Sequence, residues 1–222
     1  MDIRKNLLGF LSTIPKDVQL VAVSKTKPNE AVQEAYNAGQ RIFGENKVQD
    51  LAAKAEILPK DIDWHFIGHM QTNKVKYIAP FVKMIHAVDS IKLLKEINKQ
   101  ALKNNRIIDC LLQFHIAEES TKFGLSISEA DELLKNSELN SLQNISIVGV
   151  MGMATYTDDI QQIRSEFTQL NNNFKILKTN FFNNNSNFKE ISMGMSGDYK
   201  IAIEEGSTMI RIGTKIFGER NY

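Results

Sequence analysis

Lys25 is the residue in this sequence best placed for covalent chemistry. It follows the apolar run Val21-Ala22-Val23-Ser24, and a barrel strand over that run would deliver the lysine to the barrel mouth. Partial loss of hydration at such a rim disfavours the charged amine. A neutral amine is what forms an imine with a carbonyl. Position alone favours the plainer reading, a solvated lysine at a strand end. Lys27 leaves the same strand end and is expected to face solvent.

A second chemistry lies near the C-terminus, in Gly194-Met195-Ser196-Gly197-Asp198 and Arg211-Ile212-Gly213-Thr214. Ser196 can donate its hydroxyl, and glycines let backbone approach an anion closely. Barrels frequently bind phosphate with the loops after their seventh and eighth strands. Both segments fall there, so phosphate binding is preferred to two ordinary tight turns. Reading past the other strand ends adds Glu45, Asn46, His69, Asp89, Met153 and Thr155.

The four histidines do not pair at metal-ligand spacings, and one cysteine cannot build a cluster. No metal is expected, and nothing supports Ser/His/Asp or Cys/His catalysis. His65, His86 and His115 read as structural or surface residues, whereas His69 could touch a ligand. Met151, Met153, Met193 and Met195 read as core, though a flat ring could use the same soft lining.

These residues need strands to carry them. Eight short apolar runs qualify: Gln19–Ser24, Arg41–Gly44, Asp63–Gly68, Met84–Val88, Ile107–Ile116, Ile145–Met151, Lys189–Ser192 and Met209–Ile212. Between them, Asn29–Ala38, Val48–Leu58, Ile91–Leu102, Ser128–Lys135 and Asp159–Lys178 carry apolar residues at helical spacings of three and four. Ser128 with Asp131 forms a capping-box pattern, and Pro28 suits a first helical turn. Near-continuous apolar strands are buried on both faces, which means parallel pairing with helical crossovers. The expected fold class is α/β, a single (β/α)8 TIM-type barrel over residues 1–222. An open doubly wound sheet ranks second, because Ser24-Lys25-Thr26-Lys27-Pro28 is not its Gly-rich first turn. Leu7, Leu8, Phe10 and Leu11 predict an extra N-terminal helix covering the barrel. The Asn-rich stretch from Asn171 to Asn187 reads as drift in a solvated region, with its second half a surface loop.

Composition narrows the function classes. With 27 Lys and Arg against 26 Asp and Glu, the net charge of +1 gives no field for nucleic acid or anionic membrane. No run reaches membrane-span length. Cys110, alone in an apolar run, is expected to be a buried inert thiol, so the cytoplasm is the expected compartment.

Five segments together resemble the pyridoxal phosphate homeostasis protein family. They are Val23-Ser24-Lys25-Thr26-Lys27-Pro28, Phe43-Gly44-Glu45-Asn46, His65-Phe66-Ile67-Gly68-His69-Met70-Gln71-Thr72-Asn73-Lys74, Met193-Gly194-Met195-Ser196-Gly197-Asp198 and Arg211-Ile212-Gly213-Thr214-Lys215-Ile216-Phe217-Gly218. Each is weak alone, but five in register are specific. The resemblance implies a barrel like the N-terminal domain of alanine racemase, with pyridoxal 5′-phosphate as an imine on Lys25. It implies Asn46 near the cofactor ring, Ser196, Gly213 and Thr214 on the phosphate, and Arg211 facing the pyridine nitrogen. An arginine there stays protonated, leaves that nitrogen unprotonated and weakens the ring as an electron sink. Lys47 and Met70 depart from the family, which usually has an aromatic residue and leucine there. Lys47 is expected to alter the exposed side of the cofactor.

Racemisation needs an acid/base on each face of the imine. In racemases resembling this fold, a C-terminal domain of a partner chain supplies the second base, and this sequence stops at Tyr222, ten residues after the eighth strand. The expectation is therefore a cofactor-holding protein without strong catalysis, a monomer that buffers pyridoxal phosphate or delivers it to apo-enzymes. The rivals are an amino-acid racemase using Tyr156 or Tyr199, a Schiff-base aldolase on a phosphorylated sugar, and a plain protein-interaction barrel.

Overall fold

A computed structural model describes residues 2–118 and 123–219. In chain order the elements are α1 (Ile3–Leu11), β1 (Gln19–Val23), α2 (Asn29–Asn37), β2 (Ile42–Glu45), α3 (Val48–Ile57), β3 (Asp63–Phe66), α4 (Val75–Ile78), β4 (Met84–Val88), α5 (Ile91–Lys103), β5 (Ile108–Gln113), α6 (Ile127–Lys135), β6 (Ile145–Met151), α7 (Ile160–Asn180), β7 (Glu190–Ser192), α8 (Tyr199–Glu204), β8 (Met209–Ile212) and α9 (Thr214–Phe217). The strands pair in parallel in sequence order, and β8 pairs with β1 to close the barrel.

Alternation along the strands builds two cores. Leu20 and Ala22 of β1 and Ile210 and Ile212 of β8 join the large core between sheet and helices. Val21 and Met209 join Met84, Ala87, Leu111, Val148 and Met151 in a smaller core inside the barrel. A strand presents every second residue to one side, so the residue that follows each inward series at a strand end arrives at the barrel mouth. Gly44 faces inward in β2, where a Cβ would lie 2.9 Å from Val21 Cγ1. Gly149 is required more strongly, because a Cβ there would lie 1.9 Å from the Glu190 carbonyl oxygen of β7.

Several local expectations need correction. The capping box of α6 is Ser126 with Glu129, not Ser128 with Asp131. The longer glutamate side chain reaches back to the Ser126 N–H at 2.8 Å. Pro28 is the N-cap of α2 rather than part of its first turn. The fifth strand is shorter than its apolar run: Ile107 is exposed, and His115 and Ile116 follow the strand in a loop. Helix α1 buries Leu7 and Phe10, while Leu8 and Leu11 face water. It packs against α9 and α2, beside the β8–β1 seam. The Asn-rich stretch is helical through Asn180, and Asn171 Nδ2 donates to the Glu205 carbonyl at 2.7 Å. Cys110 is buried, and burial pushes its thiol pKa up. Among the described residues, no helix is long and apolar enough to cross a membrane.

Candidate functional site

At the C-terminal ends of the strands lies a cavity of about 730 Å³, within the usual range of small-molecule sites. Lys25, Asn46, Ser196, Arg211, Gly213 and Thr214 all line it. Their convergence follows from the strand alternation. Val21 and Val23 precede Lys25 on the inward side of β1, and Gly44 precedes Asn46 at the end of β2. Met209 precedes Arg211 in β8, and Gly213 comes next.

The turn between β7 and α8 supplies Ser196 and Gly197. Asp198 Oδ1 accepts the Met195 N–H at 2.5 Å and fixes this turn. Gly194 has φ +93°, and a Cβ there would lie 2.6 Å from Ala202 Cβ. A Cβ on Gly197 would meet nothing within 4 Å, so this stretch of backbone borders open cavity. Gly213 is the N-cap of α9, and a Cβ there would come within 3.2 Å of the Val23 carbonyl oxygen.

Arg211 is buried. Its Nη1 donates to Ser192 Oγ at 2.6 Å and its Nη2 to the Gly152 carbonyl at 3.0 Å. Burial pushes its pKa down to about 10, so it remains a cation at neutral pH. The cavity therefore combines an amine from β1, hydroxyl and backbone donors from the last two loops, and a buried guanidinium. Val23, Ile67, Met151 and Met153 supply apolar wall. That set fits a ligand with an anionic end, a flat body and a carbonyl, and no group of three or more metal-ligating side chains occurs among the described residues.

The other strand-end residues separate. His69 lines the cavity, stacks on Phe123 with ring centroids 4.1 Å apart, and holds Nδ1 3.9 Å from Asp89 Oδ2. Lys27 also lines the cavity and is half-buried rather than solvent-facing, its Nζ donating to the Glu219 carbonyl at 2.7 Å. Glu45 turns outward: Oε1 accepts from Ser24 Oγ at 2.6 Å and from Lys54 Nζ of α3 at 2.6 Å. Thr155 is tied to Glu166 through both its N–H and its hydroxyl. Lys47 is exposed and serves as the N-cap of α3; it is absent from the cavity lining. Met193 is core, whereas Met195 lines the cavity. Tyr199 is buried against Phe10, with centroids 5.1 Å apart. Tyr156 lines the cavity mouth but is 98% exposed.

Sequence reasoning missed Phe123 and Gln113. Gln113 Nε2 donates to the Phe123 carbonyl at 2.9 Å, and Leu125 N donates to the Gln113 carbonyl at 2.8 Å. Gly124 permits this close approach, since a Cβ there would lie 2.4 Å from His115 N. The fold back carries Phe123 over His69, and only the glycine gave a local signal. His65 and His86, read as scattered, form a polar pair inside the barrel, His86 Nε2 lying 3.0 Å from His65 Nδ1.

Gly68 controls Asn46. A Cβ at Gly68 would lie 2.3 Å from the Asn46 carbonyl oxygen and 2.9 Å from Asn46 Cα. Gly68→Ala is expected to displace Asn46 and to cost about 1–3 kcal/mol, as overpacking does. Urea unfolding gives the cost, and amide chemical shifts around Asn46 report the displacement. An unmoved Asn46 would contradict this contact.

The chain matches the alanine racemase N-terminal domain family over residues 2–221. It is 40% identical over 205 residues to the pyridoxal phosphate homeostasis protein of Aquifex aeolicus, covering 92% of this chain and 88% of that one. The protein of the same name from Escherichia coli K12 is 35% identical over 212 residues, covering 94% and 88%. Among solved structures, PipY of Synechococcus elongatus PCC7942 without PLP superposes with a TM-score of 0.89 at 36% identity, covering 97% of this chain and all (100%) of that one. The PipY structure with PLP bound gives 0.87 at 35% identity, with the same coverage of 97% and 100%. An alanine racemase of Clostridium difficile shares the fold at 14% identity, with a TM-score of 0.79; the match covers 100% of this chain and 57% of the racemase.

Proposed function

This chain belongs to the alanine racemase N-terminal domain family and, within it, to the pyridoxal phosphate homeostasis proteins; from that premise we propose that it binds pyridoxal 5′-phosphate and serves vitamin B6 homeostasis. The observation that carries this reading is one cavity shared by the Lys25 amine, the donors Ser196, Gly213 and Thr214, and the Arg211 guanidinium. Bound there, the cofactor would supply a reactive aldehyde and an aromatic ring that can accept electrons.

Each residue then has a task. Lys25 would hold the cofactor through its aldehyde, and Asn46 would lie beside the ring. Ser196, Thr214 and the Gly213 backbone would hold the phosphate. Arg211 would donate to the ring nitrogen, and with its pKa near 10 it would keep its own proton at neutral pH. A ring nitrogen that accepts a hydrogen bond without gaining a proton withdraws electrons weakly. That favours holding the cofactor over transforming amino acids on it.

The tyrosines weighed as catalytic bases support the same reading. Tyr199 is packed into the core away from the cavity, and Tyr156 stands 98% exposed at its mouth, in water rather than in a dry site. In this reading the whole of residues 1–222 is one cofactor-binding unit. It is a cytoplasmic monomer that buffers the cofactor and passes it to apo-enzymes, without nucleic acid, membrane or metal.

A cofactor-loaded sample incubated with each common L-amino acid tests the non-catalytic half. The expected result is no inversion or transamination above the rate of free pyridoxal phosphate. Robust turnover that disappears in Lys25→Ala would make the protein an enzyme.

A further inference from the structure

Beneath the cavity, β3, β4, β7 and β8 each send a polar side chain into the barrel interior. These are His65, His86, Ser192 and Arg211, all buried. They are joined in series. Arg211 Nη1 donates to Ser192 Oγ at 2.6 Å, Ser192 Oγ lies 3.1 Å from His86 Nδ1, and His86 Nε2 lies 3.0 Å from His65 Nδ1. We propose that Ser192, His86 and His65 are positioning residues for Arg211, forming a directed hydrogen-bond chain that fixes the guanidinium plane at the cavity without neutralising its charge.

The direction follows from counting protons. Guanidinium only donates, and a serine hydroxyl has one proton to give. With Arg211 donating to Ser192 Oγ, the serine proton goes to His86 Nδ1. His86 then carries its proton on Nε2 and gives it to His65 Nδ1, which leaves His65 protonated on Nε2. In the reverse order Ser192 Oγ would accept from both Arg211 and His86, which its two lone pairs allow. That order would leave the serine proton without an acceptor among the bonds the structure shows.

A buried arginine is usually held by a carboxylate, and that pairing would cancel much of its field. Arg211 forms no ion pair among the described residues: its hydrogen-bond partners are a hydroxyl and the Gly152 carbonyl, and the Asp198 carboxylate across the cavity acts on it only at longer range. Both imidazoles are kept neutral chiefly by burial, His65 with a pKa near 3 and His86 well below its ordinary value. The chain therefore orients the cation through neutral groups, and among the described residues no carboxylate is bonded to it. The assignment of Arg211 to the cofactor ring rests on the function proposed above; the geometry of the chain does not.

The test has two arms. In the ligand-free protein, nitrogen-15 NMR reads the histidine tautomers and the exchange of the Arg211 side-chain N–H groups. Both His65 and His86 are expected as Nε2–H tautomers, which needs no variant. Ser192→Ala should speed Arg211 exchange roughly tenfold, the equivalent of one lost hydrogen bond to a charged group, and Ser192→Thr should restore the slow rate. In the second arm, titration with pyridoxal phosphate alone should show roughly tenfold weaker binding and a shifted absorption band in Ser192→Ala, both restored in Ser192→Thr. A residue that only fills space would lower stability and leave exchange and band unchanged. A His86 Nδ1–H tautomer, or unaltered Arg211 exchange in Ser192→Ala, overturns the proposal. If the native protein fails to bind the cofactor, the function proposed above fails, while the first arm still decides the chain.

Discussion

Replacing Lys54 with methionine is expected to destabilise the protein by about 3–5 kcal/mol. Lys54 Nζ is buried against Glu45 Oε1 at 2.6 Å and also donates to the Ser24 carbonyl at 2.7 Å. Glu45 Oε2 has no partner among the described residues, so Lys54 is the main compensation for this carboxylate. Removing one member of a buried pair strands the other charge, whereas replacing both with apolar residues is often nearly neutral. At about 2–4 °C per kcal/mol for a chain of this length, the melting temperature should fall by roughly 6–20 °C. Lys54→Met with Glu45→Leu should recover most of the loss. The effect reaches the site, because Ser24 precedes Lys25 and Glu45 precedes Asn46. A loss below about 1 kcal/mol, the scale of an exposed pair, would show that this ion pair is not structural.

The buried histidines make the fold sensitive to mild acid. Burial holds His65 near pKa 3 and His86 well below its ordinary value, while unfolded histidine titrates near 6.5. Below about pH 6.5 the unfolded chain binds protons that the native protein refuses, so stability falls as pH falls. Each histidine contributes a slope of about 1.4 kcal/mol per pH unit until its native pKa is reached. Most carboxylates titrate near pH 4, so the interval from pH 6.5 to 5 isolates the histidines. Urea unfolding across that interval should give a steep decline. His65→Asn should start less stable at pH 7 and decline less steeply, by about one proton. Parallel slopes for the two proteins would contradict a neutral buried His65.

Much of the barrel was legible because its strands are short apolar runs and its helices keep spacings of three and four. The ends were less so. The run Ile107–Ile116 overshoots β5 (Ile108–Gln113) at both ends, since apolar content does not tell a strand from the loop that packs beside it. At α6, two overlapping patterns offered a capping box, and side-chain length decided for Ser126 and Glu129. Reading residues just past the strand ends gathered Lys25, Asn46, Ser196, Gly213 and Thr214, because the inward alternation of a parallel barrel ends there. The same rule also collected Glu45 and Thr155, whose parity or local bonding turns them away. Within the strands, alternation was not followed: β4 is irregular around His86, with a register shift between Ile85 and Val88, but His65 is flanked by Trp64 and Phe66, both of the large outer core. That pattern marks a polar side chain aimed into the barrel. Phe123 was beyond reach, since its place depends on long-range bonds that tie Phe123 and Leu125 to Gln113 of β5.

The central claim is that Lys25 holds pyridoxal phosphate in this cavity. The most direct test mixes the purified protein with pyridoxal phosphate, records the visible spectrum, reduces with borohydride and maps the modified peptide, with Lys25→Ala alongside. The account predicts a yellow imine band in the native protein, the reduced cofactor attached at Lys25, and neither in the variant. A colourless native protein, or a band that survives loss of Lys25, would contradict it.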